Sequence, residues 1–574
     1  MSAELKAQVP LVRYFDLIAQ APGGVARLRE LILTLAVQGK LVPQDPSDEP
    51  ASELLKKIRA EKDRLIAEGK IKRDKPLAEI ADEVKPFELP NGWIWTSLAA
   101  VGIINPRNDA ADETVASFVQ MSSIPIQFSE AHDVEPRPWS AIKSGFTHFA
   151  EGDVGVAKIT PCFENGKSTV FRNLSNRIGA GTTELHIVRP LGGIDPRYVL
   201  LFLKTPTFLK EGEAVMTGSA GQKRLPRNYF ENKPFSLPPL AEQSRIVTRV
   251  EELMQLCDAL EASGQLEAQQ HAQLAGTLLG TLTQSETPEA LADNWQRIAT
   301  HFDVLLDRPE AVDALEQTIL QLAVRGLLVP QDPTDEPASV LLQKIRTEKD
   351  HLIAQGKIKR DKPLPPITDE EKPFELPQGW ALARFGDLAQ ISSGVTLGRK
   401  TPISKPLLLP YLRVANVQRW TLKLKSMKEV IIDEKELGRF QICSGDLLIT
   451  EGGDWDKVGR TAIWRDQLPT CLHQNHVFKA RGVTAEWCPE WAELYLNSDI
   501  ARSYFAASAK QTTNLASINM TELKNCVFPL PSSFEQSRIV SRVNELRSLC
   551  VDLRQRLAAG QTVQSRLADA LVTG

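Results

Sequence analysis

The chain contains itself twice. Residues 36 to 76, AVQGKLVPQDPSDEPASELLKKIRAEKDRLIAEGKIKRDKP, return as residues 323 to 363, AVRGLLVPQDPTDEPASVLLQKIRTEKDHLIAQGKIKRDKP, with 33 of 41 positions identical. The match runs on without a gap through KPFELPNGW (85 to 93) and KPFELPQGW (372 to 380), always at an offset of 287, half of the 574-residue length. A second block, EQSRIVTRVEELMQLC (242 to 257), returns as EQSRIVSRVNELRSLC (535 to 550) at an offset of 293, so the intervening segments differ in length by six residues. Those segments, about 94 to 238 and 381 to 531, share almost no sequence. Two copies of one architectural unit with unlike inserts specify a pseudo-twofold object that presents two different surfaces. A solenoid is excluded, because two long copies are not a short-period array.

The repeated blocks carry helical periodicity. Leu54, Leu55, Ile58, Leu65 and Ile66 sit at helical spacings between Pro50 and Gly69, and Leu341, Leu342, Ile345, Leu352, Ile353 and Gly356 reproduce them. The other block has a heptad stripe: Ile246, Val250, Leu253, Cys257 and Leu260, then Ile539, Val543, Leu546, Cys550 and Leu553. The same seam twice, beside charged and Gln-rich flanks, predicts helices that pair with each other in an intramolecular coil acting as a spacer. The inserts differ in texture. Short β-branched and aromatic runs at 118 to 121, 153 to 159, 184 to 190, 429 to 434, 446 to 451 and 476 to 482 alternate with Gly, Pro and Asn, followed by short helices near 196 to 212 and 489 to 508. These are mixed α/β domains. The expected division is a helical region over 1 to 90, an insert over 91 to 238, a central helical region over 239 to 377, a second insert over 378 to 531 and a C-terminal helix over 532 to 574.

Composition narrows the class. With 42% hydrophobic and 24% charged residues the chain can bury several cores. No run approaches a membrane span, and the N-terminal stretch lacks the features of a signal peptide, so a cytoplasmic location is expected. Seven scattered cysteines read as reduced thiols. A net charge of -4 means that any nucleic-acid surface must be local or shared with a partner.

Catalytic motifs are missing. Gly166-Lys167-Ser168 resembles the end of a phosphate-binding loop, but Pro161 stands at the required leading glycine. Asn105-Pro106 lacks the proline and aromatic that follow in an amino-methyltransferase loop, and no glycine-rich cofactor turn follows a strand. Asp82, Glu83 and Lys85, with Asp369, Glu370, Glu371 and Lys372 in the second copy, lie in proline-flanked connectors and read as solvated linkers, not as half of a nuclease site. Cys471, His473, His476 and Cys488 fit no standard zinc spacing. No metal is expected.

What remains is a pattern of basic and amide side chains on loops. Between Gly394 and Lys428 stand eight basic residues (Arg399, Lys400, Lys405, Arg413, Arg419, Lys423, Lys425, Lys428) and no acidic one. Within LRVANVQRW (412 to 420), Arg413, Asn416, Gln418 and Arg419 are side chains whose paired donors and acceptors match guanine and adenine edges. EGGDWDKVGR (451 to 460), with Lys457 and Arg460, and HQNH (473 to 476), with Gln474 and Asn475, add loops that a ligand can approach closely. The first insert offers Lys158, Asn165 and Lys167, and the loop TGSAGQKRLPRN with Gln222, Lys223, Arg224 and Arg227. Its positional counterpart in the second insert holds Lys510, Gln511 and Asn514.

This arrangement resembles the specificity subunits of Type I restriction-modification systems. The resemblance rests on LRELILTLAVQGKLVPQDPSDEPASELLKKI and its second copy, KPFELPxGW before each insert, and PLAEQSRIV after the first; PSSFEQSRIV departs from that phrase after the second. It implies an α+β fold: two mixed α/β target recognition domains separated by paired long helices, an intramolecular coiled coil with a pseudo-twofold internal repeat. Each insert would read one half of a split, asymmetric site on double-stranded DNA. Two modification subunits and two restriction subunits would be the partners. S-adenosylmethionine, ATP and Mg would serve those subunits, with no cofactor and no active site in this chain. Two other classes stand beside this reading: a noncatalytic protein-assembly scaffold, and a self-sufficient nuclease built on Asp153 or Glu164.

Overall fold

The computed structural model describes residues 15, 17–71, 80–128, 130–219, 221–285, 287–360, 362–398, 402–453, 457–512 and 515–573. Arg399, Lys400 and Asn514 lie outside the described residues, as does the side chain of Gln511. The chain divides into two units, one of residues up to Ala268 together with those from Gly560 on, the other Gln269–Ala559. Two long helices, Leu240–Thr283 and Ser533–Thr573, each belong partly to both units.

In the first unit, a short helix Gly24–Val37 and the opening turns of the first long helix share one core. Ile246, Val250, Leu253 and Cys257 of the predicted heptad seam are buried with Leu28, Ile32 and Ala36 of the short helix and with Tyr198 and Val199 of the insert. Ala568 and Leu571, near the end of the second long helix, join the same core. The second unit repeats the arrangement. Ile539, Val543 and Cys550 are buried with Val312, Leu315 and Ile319 of the helix Pro309–Val324, and Leu279 and Leu282 from the end of the first long helix join them. Each such burial contributes about 1.5 to 3 kcal/mol. Each seam therefore packs on the short helix of its own unit, whose apolar stripe has nowhere else to go, and the two seams lie in separate cores.

The rest of the repeated sequence builds a latch. The Trp93 indole N–H donates to Glu242 Oε2 at 2.9 Å while Gln44 Nε2 donates to Glu242 Oε1 at 3.1 Å. In the second copy Trp380 and Gln331 donate to Glu535 at 3.0 and 2.6 Å. Burial pushes both carboxyls upward, against the pull of these donors. Arg245 pairs with Asp48 and Arg538 with Asp335 beside them. VPQDPxDEP, KPFELPxGW and EQSRIV thus meet at one point in each unit. Gly39 and Gly326 make the approach possible: both have positive φ, and a Cβ there would stand 2.5 and 2.6 Å from Pro90 and Pro377.

Each insert is closed where it leaves the latch by a two-stranded ribbon. In the first unit, β1 (Ile94–Thr96) pairs with β10 (Phe235–Leu237). Between them lie β2 (Gly102–Ile104), β3 (Val115–Val119), β4 (Glu135–Pro138), β5 (Thr147–Ala150), β6 (Val154–Ala157), β7 (Ser168–Val170), β8 (Ile178–Gly181) and β9 (Leu185–Pro190). They form two sheets, β2-β9-β6-β7 and β4-β3-β8-β5, with β3 and β8 parallel.

In the second unit, β11 (Ala381–Arg384) pairs with β24 (Val527–Leu530). Between them lie β12 (Ala389–Ser393), β13 (Pro406–Leu412), β14 (Val417–Gln418), β15 (Thr421–Leu422), β16 (Lys428–Asp433), β17 (Leu447–Thr450), β18 (Gly452–Gly453), β19 (Thr461–Ile463), β20 (Leu472–His473), β21 (Val477–Gly482), β22 (Lys510–Thr512) and β23 (Leu515–Ser517). Sheet β12-β21-β17-β19 matches β2-β9-β6-β7 strand for strand, and β16-β13-β20, with β13 and β20 parallel, matches β4-β3-β8. Two inserts that share almost no sequence thus share seven strands in matching order, to which the first adds β5 and the second adds the sheets β14-β15 and β18-β23-β22.

One buried carboxyl in the second insert links its fold to pH. Glu493, on the helix Pro489–Leu496, is 8% exposed and accepts the Ile463 N–H of β19 at 3.1 Å. Burial pushes its pKa up to about 7. A carboxyl raised in the folded state stabilises the fold below its unfolded pKa, and that stability disappears as pH rises through the folded value. The expected loss from this group between about pH 4.5 and 7 is about 2 to 3 kcal/mol. Glu493→Gln keeps the acceptor without the charge. In urea unfolding, the variant gains on the wild type by about that amount at pH 8 and by little at pH 5; an equal difference at both pH values would refute the assignment.

Candidate nucleic-acid interface

Strand direction gathers one set of loops at one end of each insert. In the second unit, Tyr411 near the C-terminal end of β13 pairs with Leu472 of β20 and with Lys428 at the start of β16. Thr450, the last residue of β17, pairs with Val477, the first of β21. The turn 474–476, the segment 423–428 and the loop after β17 therefore share that end. Glu451 N–H donates to the His476 carbonyl, and β18 pairs with β23, which pairs with β22. The predicted loop 451–460 and the segment that carries Lys510 and Gln511 are thus hydrogen-bonded to each other.

The first unit repeats the plan. Ile159 and Thr217 both bridge to Arg224, Thr160 N–H donates to the Lys223 carbonyl at 3.0 Å, and Leu225 N–H donates to the Lys158 carbonyl at 2.7 Å. Lys158 N–H in turn donates to the Glu184 carbonyl at 2.9 Å, just before β9. Lys158, Asn165, Gln222, Lys223 and Arg224 are brought together; Asn165, Gln222 and Lys223 are exposed and Lys158 half-buried. Lys204 holds the floor of this end. Its buried ammonium donates to the carbonyls of Ile126 and Gly166 at 2.7 and 3.1 Å, and burial lowers its pKa to about 7.

Several candidates turn out to position loops instead of facing outward. Asn416 is 1% exposed; its amide accepts from Arg413 N–H at 3.0 Å and donates to the Lys423 carbonyl at 2.7 Å. Arg413 donates to the Ser426 carbonyl at 2.9 Å. Both hold the segment 423–428, so the charged side chains exposed there are Lys423, Lys425 and Lys428, which have no ion-pair partner among the described residues. Gln418 accepts from Arg460 at 2.6 Å and donates to the Ala415 carbonyl, and Arg419 donates to Asn497 at 3.3 Å. Their hairpin, β14-β15, sets the neighbouring Trp420 ring under the Arg547 guanidinium of the second long helix, 4.4 Å from the ring centroid. Within LRVANVQRW, Asn416 is therefore enclosed by the loop that it stabilises, because a short amide beside a tight loop satisfies backbone groups there before it can reach a ligand, while Arg413, Gln418 and Arg419 remain half-exposed.

In the first insert Lys167 donates to the Met121 carbonyl at 2.8 Å, and Arg227 pairs with Glu231 along its helix. Arg224 is engaged bidentately by Glu184, at 3.0 and 2.8 Å. Gln474 and Asn475 stand half-buried in their turn, Lys457 is half-buried and Lys510 is exposed on β22. The zinc reading rejected from spacing has no support in the geometry: His473 is buried, donates Nδ1–H to the Val477 carbonyl at 2.7 Å and has its pKa lowered to about 4, while His476 pairs with Glu451 at 2.8 Å. Among the described residues no cluster of His, Cys, Asp or Glu is arranged to hold a metal. No helix is long and apolar enough to cross a membrane among the described residues.

Sequence reasoning missed one shared device. Asp153, 1% exposed at the start of β6, accepts two hydrogen bonds from Arg189 of β9, both at 2.8 Å, and one from Ala150 N–H. Asp446 does the same with Arg481 of β21, at 2.6 and 2.7 Å, and with Cys443 N–H. Asp153 is therefore a lock between strands, not the nuclease carboxylate weighed from sequence. A signal existed: Gly152-Asp153 and Gly445-Asp446 keep the 293-residue offset of the downstream block.

No family model matches the chain. It is 46% identical to the Type I restriction enzyme EcoAI specificity subunit of Escherichia coli over 556 residues, 96% of this chain and 93% of that protein. Identity to the EcoEI specificity subunit of the same organism is 43% over 558 residues, with the same shares covered. Among solved structures, a chain from work on assembly and conformational transition of the type I R-M system is similar in fold, with a TM-score of 0.52, 18% identity, and 85% of this chain and 98% of that one covered. The duplicated latch, the repeated insert topology and identity over nearly the whole length agree, and the chain belongs to the specificity subunits of Type I restriction enzymes.

Proposed function

We propose that each insert reads one half of a split DNA site through the loops at this end of its sheets, and that this chain directs adenine methylation and restriction carried out by partner subunits. The observation that carries the reading is the pairing of like scaffold with unlike tips. Two inserts with matching sheets carry, on the loops at the same end, Thr182-Thr183 with Gln222 and Lys223 in one case, and Gln474-Asn475 with Lys423, Lys425 and Lys510 in the other. Exposed lysines suit phosphate contacts, which position a protein on DNA, while hydroxyls and amides suit base edges. Two modification subunits and the restriction subunits would supply the reaction chemistry, with S-adenosylmethionine, ATP and Mg bound there, in the cytoplasm.

The test is adenine methylation across the genome of a host that carries the cognate modification subunit, with and without this chain. A split motif that appears only with the chain supports the reading, and exchanging residues 381 to 531 for another recognition domain then changes one half of that motif. A stable complex that yields no motif favours the assembly-scaffold alternative. The lysine segment has its own expected result. Lys423→Ala with Lys425→Ala weakens binding to all duplexes alike and reduces the slope of log K against log salt by about 1 to 2; a change confined to one sequence would contradict a phosphate role.

A further inference from the structure

The geometry points to a two-residue turn in each insert, Thr182-Thr183 and Gln474-Asn475, as an element that determines base specificity, held in place by a carboxylate hydrogen bond of opposite sense in the two units. This deepens the proposed reading and rests on it. The turns are structural equivalents. Each joins the strand that runs parallel to the insert's central strand (β8 or β20) to the next strand of the other sheet (β9 or β21), so each bridges the two sheets at the loop-bearing end. Neither β8 nor β20 continues past the turn, and the loops after β6 and β17, which carry Lys158 and Lys457, border it on one side.

The turns are locked, and the locks differ. In the first unit, Thr182 Oγ1 accepts Glu184 N–H at 3.2 Å, and the Glu184 carboxylate grips Arg224 of the adjoining hairpin. In the second, Val477 N–H donates to the Gln474 carbonyl at 2.9 Å, buried His473 spans the turn to the Val477 carbonyl, and His476 pairs with Glu451 of the adjoining strand loop. The residue after the variable pair is thus the anchor in both units: Glu184 there takes a cationic partner, and His476 an acidic one. The preceding pair is left as the tip. Thr183 is exposed, and Gln474 and Asn475 are half-exposed amides. A tip fixed at its base, bordered by lysines and carrying hydrogen-bonding side chains meets the requirements for reading a base edge: pre-organised direction, and donors or acceptors of the right kind. Glu184, Arg224, Glu451 and His476 are positioning residues in this scheme.

The experiment uses the full complex with the modification subunit and a panel of duplexes carrying each single base change in the mapped split motif, at fixed salt. Thr183→Ala is expected to lower discrimination about fivefold to a hundredfold at one or two adjacent positions of one half-site. Gln474→Ala and Asn475→Ala act likewise on the other half-site only. Binding to an unrelated duplex stays unchanged in all three. Glu184→Gln relaxes the same positions as Thr183→Ala, and the reversed pair, Glu184→Arg with Arg224→Glu, restores them, which a merely structural loss would not do. If the turn variants keep the wild-type discrimination profile while the complex still modifies a split motif, the inference is overturned and the reading of the inserts survives. The inference also fails if all positions and non-specific binding weaken together. If the wild type modifies no split motif, the underlying reading fails first.

Discussion

Arg189→Ala is expected to destabilise the first insert by about 3 to 5 kcal/mol, the cost of leaving a buried charge without its partner. Asp153 is 1% exposed and would keep only the Ala150 N–H of its three donors. Burial already pushes its pKa up against the pull of Arg189, so removing the guanidinium moves the carboxyl further in that direction. Arg189 also donates to Asn108 at 2.8 Å, so the substitution loosens the segment after β2. Asp153→Asn in the Arg189→Ala background removes the orphaned charge and recovers a large part of the loss. Urea unfolding of the wild type and both variants measures this; equal stability of the single and double variants would show that the charge is not what the site protects. Arg481→Ala should reproduce the result in the second insert, where Asp446 is also 1% exposed.

That carboxylate marks where sequence reading reaches its limit. The duplication was visible because near-identity needs no geometry, and the helix read from Leu54 to Ile66 forms over Ala51–Ala67 for the reason its spacing suggests. All six runs read as strand texture contribute to a strand, since period and β-branching are local properties. The site was harder. Asp153 and Arg189 are 36 positions apart, and only the antiparallel pairing of β6 with β9 brings them together. Asn416 has the composition of a base reader but is enclosed by the loop that it stabilises. Conversely, Thr182 and Thr183 carry no local signal at all. Their position follows from β3 and β8 being parallel, a fact about pairing that no window of sequence contains.

Reversing one helix clasp is expected to expose how the two halves, with their nearly copied blocks, avoid exchanging parts. Arg29 of the first short helix pairs with Asp258 and Glu261 of the long helix, each at 2.7 Å. At the position 287 residues on, the second short helix has Glu316, which pairs with Arg547 at 2.8 Å and with Arg554, the counterpart of Glu261 at an offset of 293. The clasp occupies the same place with its sign inverted. Arg29→Glu would put a third carboxylate beside Asp258 and Glu261, and the expected loss is about 2 to 3 kcal/mol from two broken pairs and the new repulsion. Adding Asp258→Val and Glu261→Arg gives the first unit the polarity of the second, matching Val551 and Arg554, and restores the melting temperature. Refolding should nevertheless suffer. In the wild type, docking the first short helix on the wrong long helix sets Arg29 against Arg547 and Arg554, and the converse error sets Glu316 against Asp258 and Glu261. With matched polarity both errors become attractive, so refolding from urea should return several-fold less monodisperse monomer, with cross-links between the first short helix and the Arg547–Arg554 stretch more abundant than in the wild type. If the triple variant melts and refolds like the wild type, the inverted charges play no part in the choice between helices.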